Sequence, residues 1–161
     1  MHRVTSIKHP GDWDASSAID RVVLDADDRN RRRIVLTAEK GTEVLLDMAS
    51  PVQLRDGDGL VLDDGSIVLV NGAPEPLVEI RAGSALDSVR LAWHLGNRHT
   101  DVQIVGDKIR LRYDHVLEDM LRGLGAKVAA LDAPFDPEPA SPHGHGHHGH
   151  EHAHHGHDHG A

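Results

Sequence analysis

The chain has 161 residues, a formal net charge of −9 at neutral pH, and aromatic side chains at only 2% of its positions. Nucleic-acid modules need a cationic surface and rings on which bases stack, so this composition argues against a nucleic-acid partner. The absence of cysteine excludes disulfides, thiolate metal sites and thiol catalysis. No segment resembles a signal peptide, and none reaches the roughly 20 apolar residues that cross a bilayer. We therefore expect a cytoplasmic protein with no membrane association.

Residues 1–74 have the pattern of a small all-β domain. Short β-type runs, such as residues 33–37 and 43–46, are separated by turns that contain glycine. Residues 60–62 and 66–70 flank Asp63-Asp64-Gly65 and are predicted to form one hairpin. We expect six or seven strands in this domain and no helix.

Residues 75–133 change in texture and alternate strands with helices. The predicted order is a strand at 77–80, a helix from 85, strands at 102–105 and 109–112, a helix at 115–124, and a strand at 127–131. This β-α-β-β-α-β order is the ferredoxin-like pattern. The fold class expected for the whole chain is therefore α+β, with an all-β domain followed by a ferredoxin-like domain.

Local signals mark the ends of the two predicted helices. Ser84 is the expected N-cap of the first helix, which Gly96 ends, and Asp114 is the expected N-cap of the second. Gly125 is placed just beyond the second helix, where a left-handed residue is usual. Helical spacing predicts apolar faces that include Leu86, Val89 and Trp93 on the first helix and Val116, Leu117, Met120, Leu121 and Leu124 on the second.

Residues 134–161 form a proline-containing linker followed by a tract of histidine and glycine that we expect to be disordered. Neutral imidazole binds Ni(II), Zn(II) and Cu(II) well, so we interpret this tail as metal-binding. The alternatives without a metal-binding function are an expression tag and an inert solubilising tail. The ten candidate tail ligands are His143, His145, His147, His148, His150, His152, His154, His155, His157 and His159.

Several segments together resemble one family. They are residues 94–99 (His-Leu-Gly-Asn-Arg-His), residues 102–104, residues 113–121 around Asp114-His115-Val116-Leu117, the Arg31-Arg32-Arg33 run, residues 57–60 before Asp63-Asp64-Gly65, and Phe135-Asp136-Pro137-Glu138. In these motifs and in its histidine-rich end the sequence resembles the UreE family of urease accessory nickel metallochaperones.

The resemblance implies a specific metal site. It implies that residues 1–74 form a peptide-binding-like domain and that residues 75–133 dimerise and bind metal. His99 would be a ligand at the interface of a homodimer, one from each subunit, and tail histidines would add ligands. The cargo would be Ni(II), passed to a urease accessory GTPase and the apo-urease accessory complex, so the chain would not be an enzyme.

Other residues leave alternatives open. Arg112-Tyr113-Asp114 stand where many relatives carry additional histidines, so His115 is interpreted as a first-turn helix residue, with a peripheral metal site as the alternative. His94 is expected to be a structural surface histidine. The basic residues Arg29, Arg31, Arg32 and Arg33 are interpreted as a solvated edge, with docking onto an acidic partner as the alternative.

Three other functions were weighed against nickel delivery. A passive Ni(II) or Zn(II) buffer would need only the tail, whereas a carrier would need the fixed ligand His99. An enzyme is not favoured, because no nucleophile, phosphate loop or paired carboxylates accompany His99. An RNA-recognition module shares the βαββαβ order but needs aromatic side chains on its central strands, and residues 102–105 and 109–112 carry none.

Overall fold

The chain folds into two β-sheets with separate hydrophobic cores, and residues 1–139 are the part that the computed structural model describes. The predicted disorder of the histidine tract and the ten candidate ligands within it lie outside the described residues. The two sheets confirm the expected α+β class, because one sheet is all-β and the other carries two helices.

The N-terminal sheet has six strands in the order β2-β6-β5-β1-β4-β3. Its strands are β1 (His2–Lys8), β2 (Asp20–Leu24), β3 (Asn30–Thr37), β4 (Glu43–Gln53), β5 (Gly59–Leu62) and β6 (Ile67–Gly72). The predicted hairpin is present, with Leu60 of β5 opposite Val68 of β6 and Gly65 in the turn at a φ of 85°. A single 3₁₀ turn, Ala15–Ser17, interrupts the strand pattern of this half.

The second sheet has the order β10-β7-β9-β8 with antiparallel neighbours throughout. Its strands are β7 (Pro74–Arg81), β8 (Gln103–Val105), β9 (Lys108–Arg112) and β10 (Lys127–Pro134), and its helices are α1 (Ala85–Asn97) and α2 (His115–Gly123). The chain passes through these elements as β7-α1-β8-β9-α2-β10, which is the order that the sequence predicts. Strands β8 and β10 lie at opposite edges of this sheet.

The predicted N-cap residues of both helices accept hydrogen bonds from amides in the first turn. The Ser84 side chain accepts a hydrogen bond from the Asp87 amide at 3.1 Å. The Asp114 carboxylate accepts from the Val116 and Leu117 amides at 2.9 and 3.2 Å. Both N-caps are therefore confirmed, and α1 ends at Asn97, one residue after the predicted Gly96.

The apolar residues predicted to share one face of α1 do not pack against this chain's own sheet. Leu86, Val89 and Trp93 are 58%, 64% and 64% exposed, whereas Leu91 and Leu95 are the α1 residues buried against the sheet. Helical spacing groups residues on a face but does not say whether that face meets this chain's own sheet or something else. Helix α1 therefore has a second apolar face, defined by Leu86, Val89 and Trp93, which we call the outer face.

Arg29 also departs from expectation, since it is buried rather than part of a solvated edge, with only 1% of its surface exposed. Its Nε donates to the Leu24 carbonyl at 3.1 Å, and its Nη1 donates to the Leu54 carbonyl at 3.1 Å. Nη1 also donates to the Asp136 carboxylate, and Nη2 donates to the Phe135 carbonyl at 2.6 Å. One guanidinium therefore joins the N-terminal sheet to the chain that follows β10.

The other arginines of the basic cluster are exposed, as the sequence predicts. Arg31 pairs with Asp28 at 2.7 Å, while Arg32 and Arg33 approach Asp47 at 3.9 and 3.8 Å. Pairs of this kind at a sheet edge contribute little to stability. The solvated-edge interpretation holds for these three residues and fails for Arg29.

A pH-dependent element of the N-terminal sheet is the buried carboxylate of Asp20. Burial raises the pKa of this carboxylate, but hydrogen bonds from the Lys40, Arg21 and Thr42 amides outweigh burial. The net effect lowers the pKa from its usual value to about 2. Because the folded pKa lies below the usual value, the ionised group stabilises the fold above about pH 4. We expect that contribution to be lost as the pH falls from about 4 to about 2.

Asp20→Asn should therefore lower the free energy of unfolding by about 1 to 3 kcal/mol at neutral pH, because a charged acceptor of several amides is replaced. Urea unfolding between pH 7 and 2 checks this. The difference between the two proteins should shrink below pH 4. A constant difference down to pH 2 would contradict the assignment.

Candidate metal centre

His99 lies directly beyond the C-terminus of α1 in a left-handed conformation, with a φ of 55°. Its amide donates to the Gly96 carbonyl at 3.0 Å, and the Thr100 amide donates to the Leu95 carbonyl at 3.1 Å. This pair of bonds is the Schellman motif, and His99 occupies the position at which glycine is usual.

Helix α2 ends in the same motif with the usual residue. The Gly125 amide donates to the Arg122 carbonyl at 2.9 Å, and the Ala126 amide donates to the Leu121 carbonyl at 3.0 Å. Gly125 has a φ of 88°. The chain therefore uses glycine at one helix end and histidine at the structurally equivalent position of the other.

The histidine at this position carries a conformational cost. A left-handed conformation costs a residue with a Cβ about 1 kcal/mol relative to glycine. His99 is the one non-glycine residue with positive φ among residues 1–139, and it is exposed to solvent. The conformational cost is thus carried at an exposed position of the surface.

The start of α2 borders the loop that carries His99. Thr100, Asp101, Tyr113 and Asp114 line one shallow groove, so the residue after His99 and the N-cap of α2 are neighbours. His115, the first residue of α2, is also exposed. The peripheral site at His115 stays a prediction, as does the ligand role of His99.

The linker returns to the same region. The Glu138 amide donates to the carbonyl of Val102 at 2.7 Å, and Val102 lies three residues after His99. Residue 138 lies five positions before His143, the first histidine of the tail. The tail histidines themselves lie outside the described residues, and this hydrogen bond fixes where the chain leading to them begins.

Among residues 1–139, one group of side chains has the spacing of a three-ligand metal site, and it does not include His99. It consists of His2, Asp63 and Asp64, whose ligand atoms all lie within 4.8 Å of one another. His2 Nδ1 already bonds Asp63 at 2.8 Å, and this bond is the chief cause that lowers the pKa of Asp63. The described geometry of the group is therefore that of a hydrogen-bonded pair of side chains at the surface.

His94, predicted to be structural, is half-buried near the end of α1. Its ring contacts the Trp93 ring edge-on, with centroids 5.0 Å apart. Sequence reasoning missed the role of Arg29, for which no periodic signal exists. The two partners of Arg29 beyond β10 are Phe135 and Asp136, which belong to one of the family motifs in the sequence.

Within the described residues, no helix is both long enough and apolar enough to cross a membrane. The described part is thus a strand-rich domain followed by a two-helix sheet domain that presents a histidine at a strained, open helix end.

The chain belongs to the UreE urease accessory protein family. Residues 1–73 match the family's N-terminal domain, and residues 75–160 match its C-terminal domain. Two urease accessory proteins UreE, from Rhodopseudomonas palustris and from a Bradyrhizobium species, are each 51% identical to it. The first alignment covers 90% of this chain and 72% of the relative, and the second covers 91% and 71%.

These comparisons confirm the family resemblance that the sequence motifs indicated. Since the family is one of accessory proteins, they also confirm that the chain is not an enzyme. The spacing of the Gly-Asn-Arg-His and Asp-His-Val-Leu motifs was therefore a sound basis for the family assignment.

The strain at His99 predicts an unusual mutational response. His99→Gly should raise the free energy of unfolding of the metal-free protein by about 1 kcal/mol, because glycine adopts the left-handed conformation without penalty. Urea denaturation with a chelator present measures this change.

Gly125→Ala is the matched control, because a Cβ at residue 125 would meet no atom within 4 Å. Its cost is therefore purely conformational, and we expect a loss of about 1 kcal/mol. A destabilised His99→Gly protein would show that the His99 side chain serves the fold.

Proposed function

We propose that this protein binds Ni(II) and delivers it for assembly of the urease active site. The single observation that supports this most directly is His99, an exposed imidazole held at a left-handed helix end where α2 uses glycine. Family membership supplies the context, since the matching proteins are urease accessory proteins. Zn(II) and Cu(II) are expected to compete for the same ligands, because imidazole binds all three ions.

The metal site requires a second copy of the chain. A lone imidazole on a rigid surface is a weak ligand, but a two-fold axis beside His99 would supply two. The outer face of α1 favours such an axis, because Leu86, Val89 and Trp93 expose an apolar stripe on the helix that ends at His99. We therefore assign dimerisation to residues 75–133, the ferredoxin-like domain, and propose a homodimer with His99 of each subunit at its interface.

The tail completes the proposed site and adds capacity. Two imidazoles leave most positions of an octahedral Ni(II) ion open, and ten histidines follow the proline-containing linker. Because the tail is tethered, its histidines act at high effective concentration and still exchange. That combination suits a carrier, which must hold its ion and then release it.

Delivery requires partners, which we propose to be the urease accessory GTPase and the apo-urease accessory complex, in the cytoplasm. Residues 1–74 would be the domain that engages a protein or peptide. The alternative function is passive Ni(II) or Zn(II) buffering by the tail alone. The strained position of His99 favours the carrier, because a buffer gains nothing from one fixed imidazole.

Calorimetry tests the site and the dimer together. We expect the full-length protein to bind one tight Ni(II) per dimer, and His99→Ala to lose that event while tail binding stays. Affinity should fall as the pH is lowered, because imidazole must be neutral to bind a metal ion. An unchanged half-stoichiometric event in His99→Ala would disprove the assignment.

Val89→Glu should abolish dimerisation, because it places a charge in the proposed apolar interface, and the tight site should disappear with it. Val35→Glu is the matched control, since Val35 is similarly exposed at 55% but lies on β3. Ultracentrifugation measures the oligomeric state of both variants. A dimer that survives Val89→Glu would exclude the outer face as the interface.

Urease activation in cells that lack the native gene separates carrier from buffer. A chain truncated after Pro142 should restore substantial activity in plentiful nickel, because the fixed ligand remains. Full-length His99→Ala should restore much less at limiting nickel, although all ten tail histidines are present. The reverse pattern would favour the buffer.

A further inference from the structure

Residues 135–138 follow the last strand and are bound firmly to the folded protein; we call them the tail anchor. Phe135 is fully buried and packs with Ala26 and Leu77. Arg29 donates to the Phe135 carbonyl and to the Asp136 carboxylate. The first half of the anchor is thus held by side chains from both halves of the molecule.

The anchor is also hydrogen-bonded to strand β8 and to Val102, the residue before it. The Asp136 amide donates to the Gln103 side chain at 3.2 Å, and the Glu138 amide donates to the Val102 carbonyl at 2.7 Å. In return, the Ile104 amide donates to the Glu138 carboxylate at 3.1 Å. This exchange of bonds fixes the course of the backbone as far as residue 138.

The anchor carries the chain across the end of the sheet. Pro134 ends β10 at one edge, whereas the anchor finishes beside β8 at the opposite edge, three strand spacings or about 14 Å away. The His99 loop leads directly into β8. Since Val102 is three residues from His99, the end of the anchor lies within roughly 11 Å of chain from the candidate ligand.

We propose that the tail anchor sets the starting point of the histidine tail beside His99, and that Arg29 is its positioning residue. The proposal rests on the proposed function, in which tail imidazoles and His99 bind one ion. His143 is five positions beyond Glu138, and that length of chain spans at most about 17 Å when extended. Without the anchor, the tail would leave the fold at Pro134, which lies at the β10 edge of the sheet, opposite β8. His143 is nine positions beyond Pro134.

A spin label tests the placement without any metal. The chain contains no cysteine, so Ser141→Cys would be its unique labelling site. In the full-length apo-protein, we expect a nitroxide there to broaden the amide signals of residues 98–101 strongly. Arg29→Met should remove most of that broadening, because the anchor loses its buried donor.

Arg31→Met is the matched control, because it removes an exposed arginine of the same strand region that pairs only at the surface with Asp28. Its broadening pattern should equal that of the parent. If Arg29→Met fails to fold, the double change Gln103→Ala and Glu138→Ala is the second variant. It removes the two side-chain bonds between the anchor and β8, leaves the backbone bond to Val102 in place, changes no buried residue, and should also reduce the broadening. Equal broadening in all variants, or none in the parent, would overturn the proposal.

A nickel titration connects the anchor to the metal site. Ten glycine and serine residues inserted after Pro139 would lengthen the five-residue connection to fifteen and leave the anchor intact. Effective concentration falls as about the −3/2 power of length, so the tight Ni(II) affinity should weaken about fivefold. If the broadening depends on Arg29 as expected but the Ni(II) affinity is unchanged by the insertion, the tail and His99 do not share an ion. If the broadening does not depend on Arg29, the proposed role of the anchor is wrong.

Discussion

The buried guanidinium of Arg29 is the contact on which the arrangement of the described chain depends. A cation can be buried when its donors are matched and its charge is compensated, and Arg29 meets both conditions with three carbonyls and the Asp136 carboxylate. Arg112 reinforces the same junction, because it pairs with Asp27 at 2.8 Å and lies 5.0 Å from the centre of the Phe135 ring. Two arginines thereby couple the N-terminal sheet, the second sheet and the start of the tail.

Local signals made much of the fold predictable from the sequence. Ser84 and Asp114 cap the helices because a short side-chain oxygen can reach a free amide within three residues, and that reach depends on nothing distant. Gly125 is equally local, since a left-handed residue closes the motif after α2. Alternating apolar strands and glycine turns identified the sheets for the same reason.

Long-range contacts could not be predicted in this way. Arg29 lies in a run of exposed arginines and is distinguished from them by partners 25 and more than 100 residues away. The outer face of α1 has the spacing of a core face, and its exposure follows from how the helix is turned against its own sheet. Helical periodicity identified Leu86, Val89 and Trp93 correctly as a group but could not say what that group faces, because an exposed apolar face and a core face obey the same spacing.

His99 joins the local and the long-range parts of the candidate site. Its backbone closes the Schellman motif of α1, so the helix end fixes the point on the surface from which the side chain starts. The conformational cost, about 1 kcal/mol, stays confined to one residue. In the proposed dimer, the outer face of α1 would bring a second subunit toward that residue, and the tail anchor would bring the histidine-rich segment. A rigid ligand approached by exchangeable ones retains an ion through the fixed position and releases it through the others, which is the property that transfer between proteins requires.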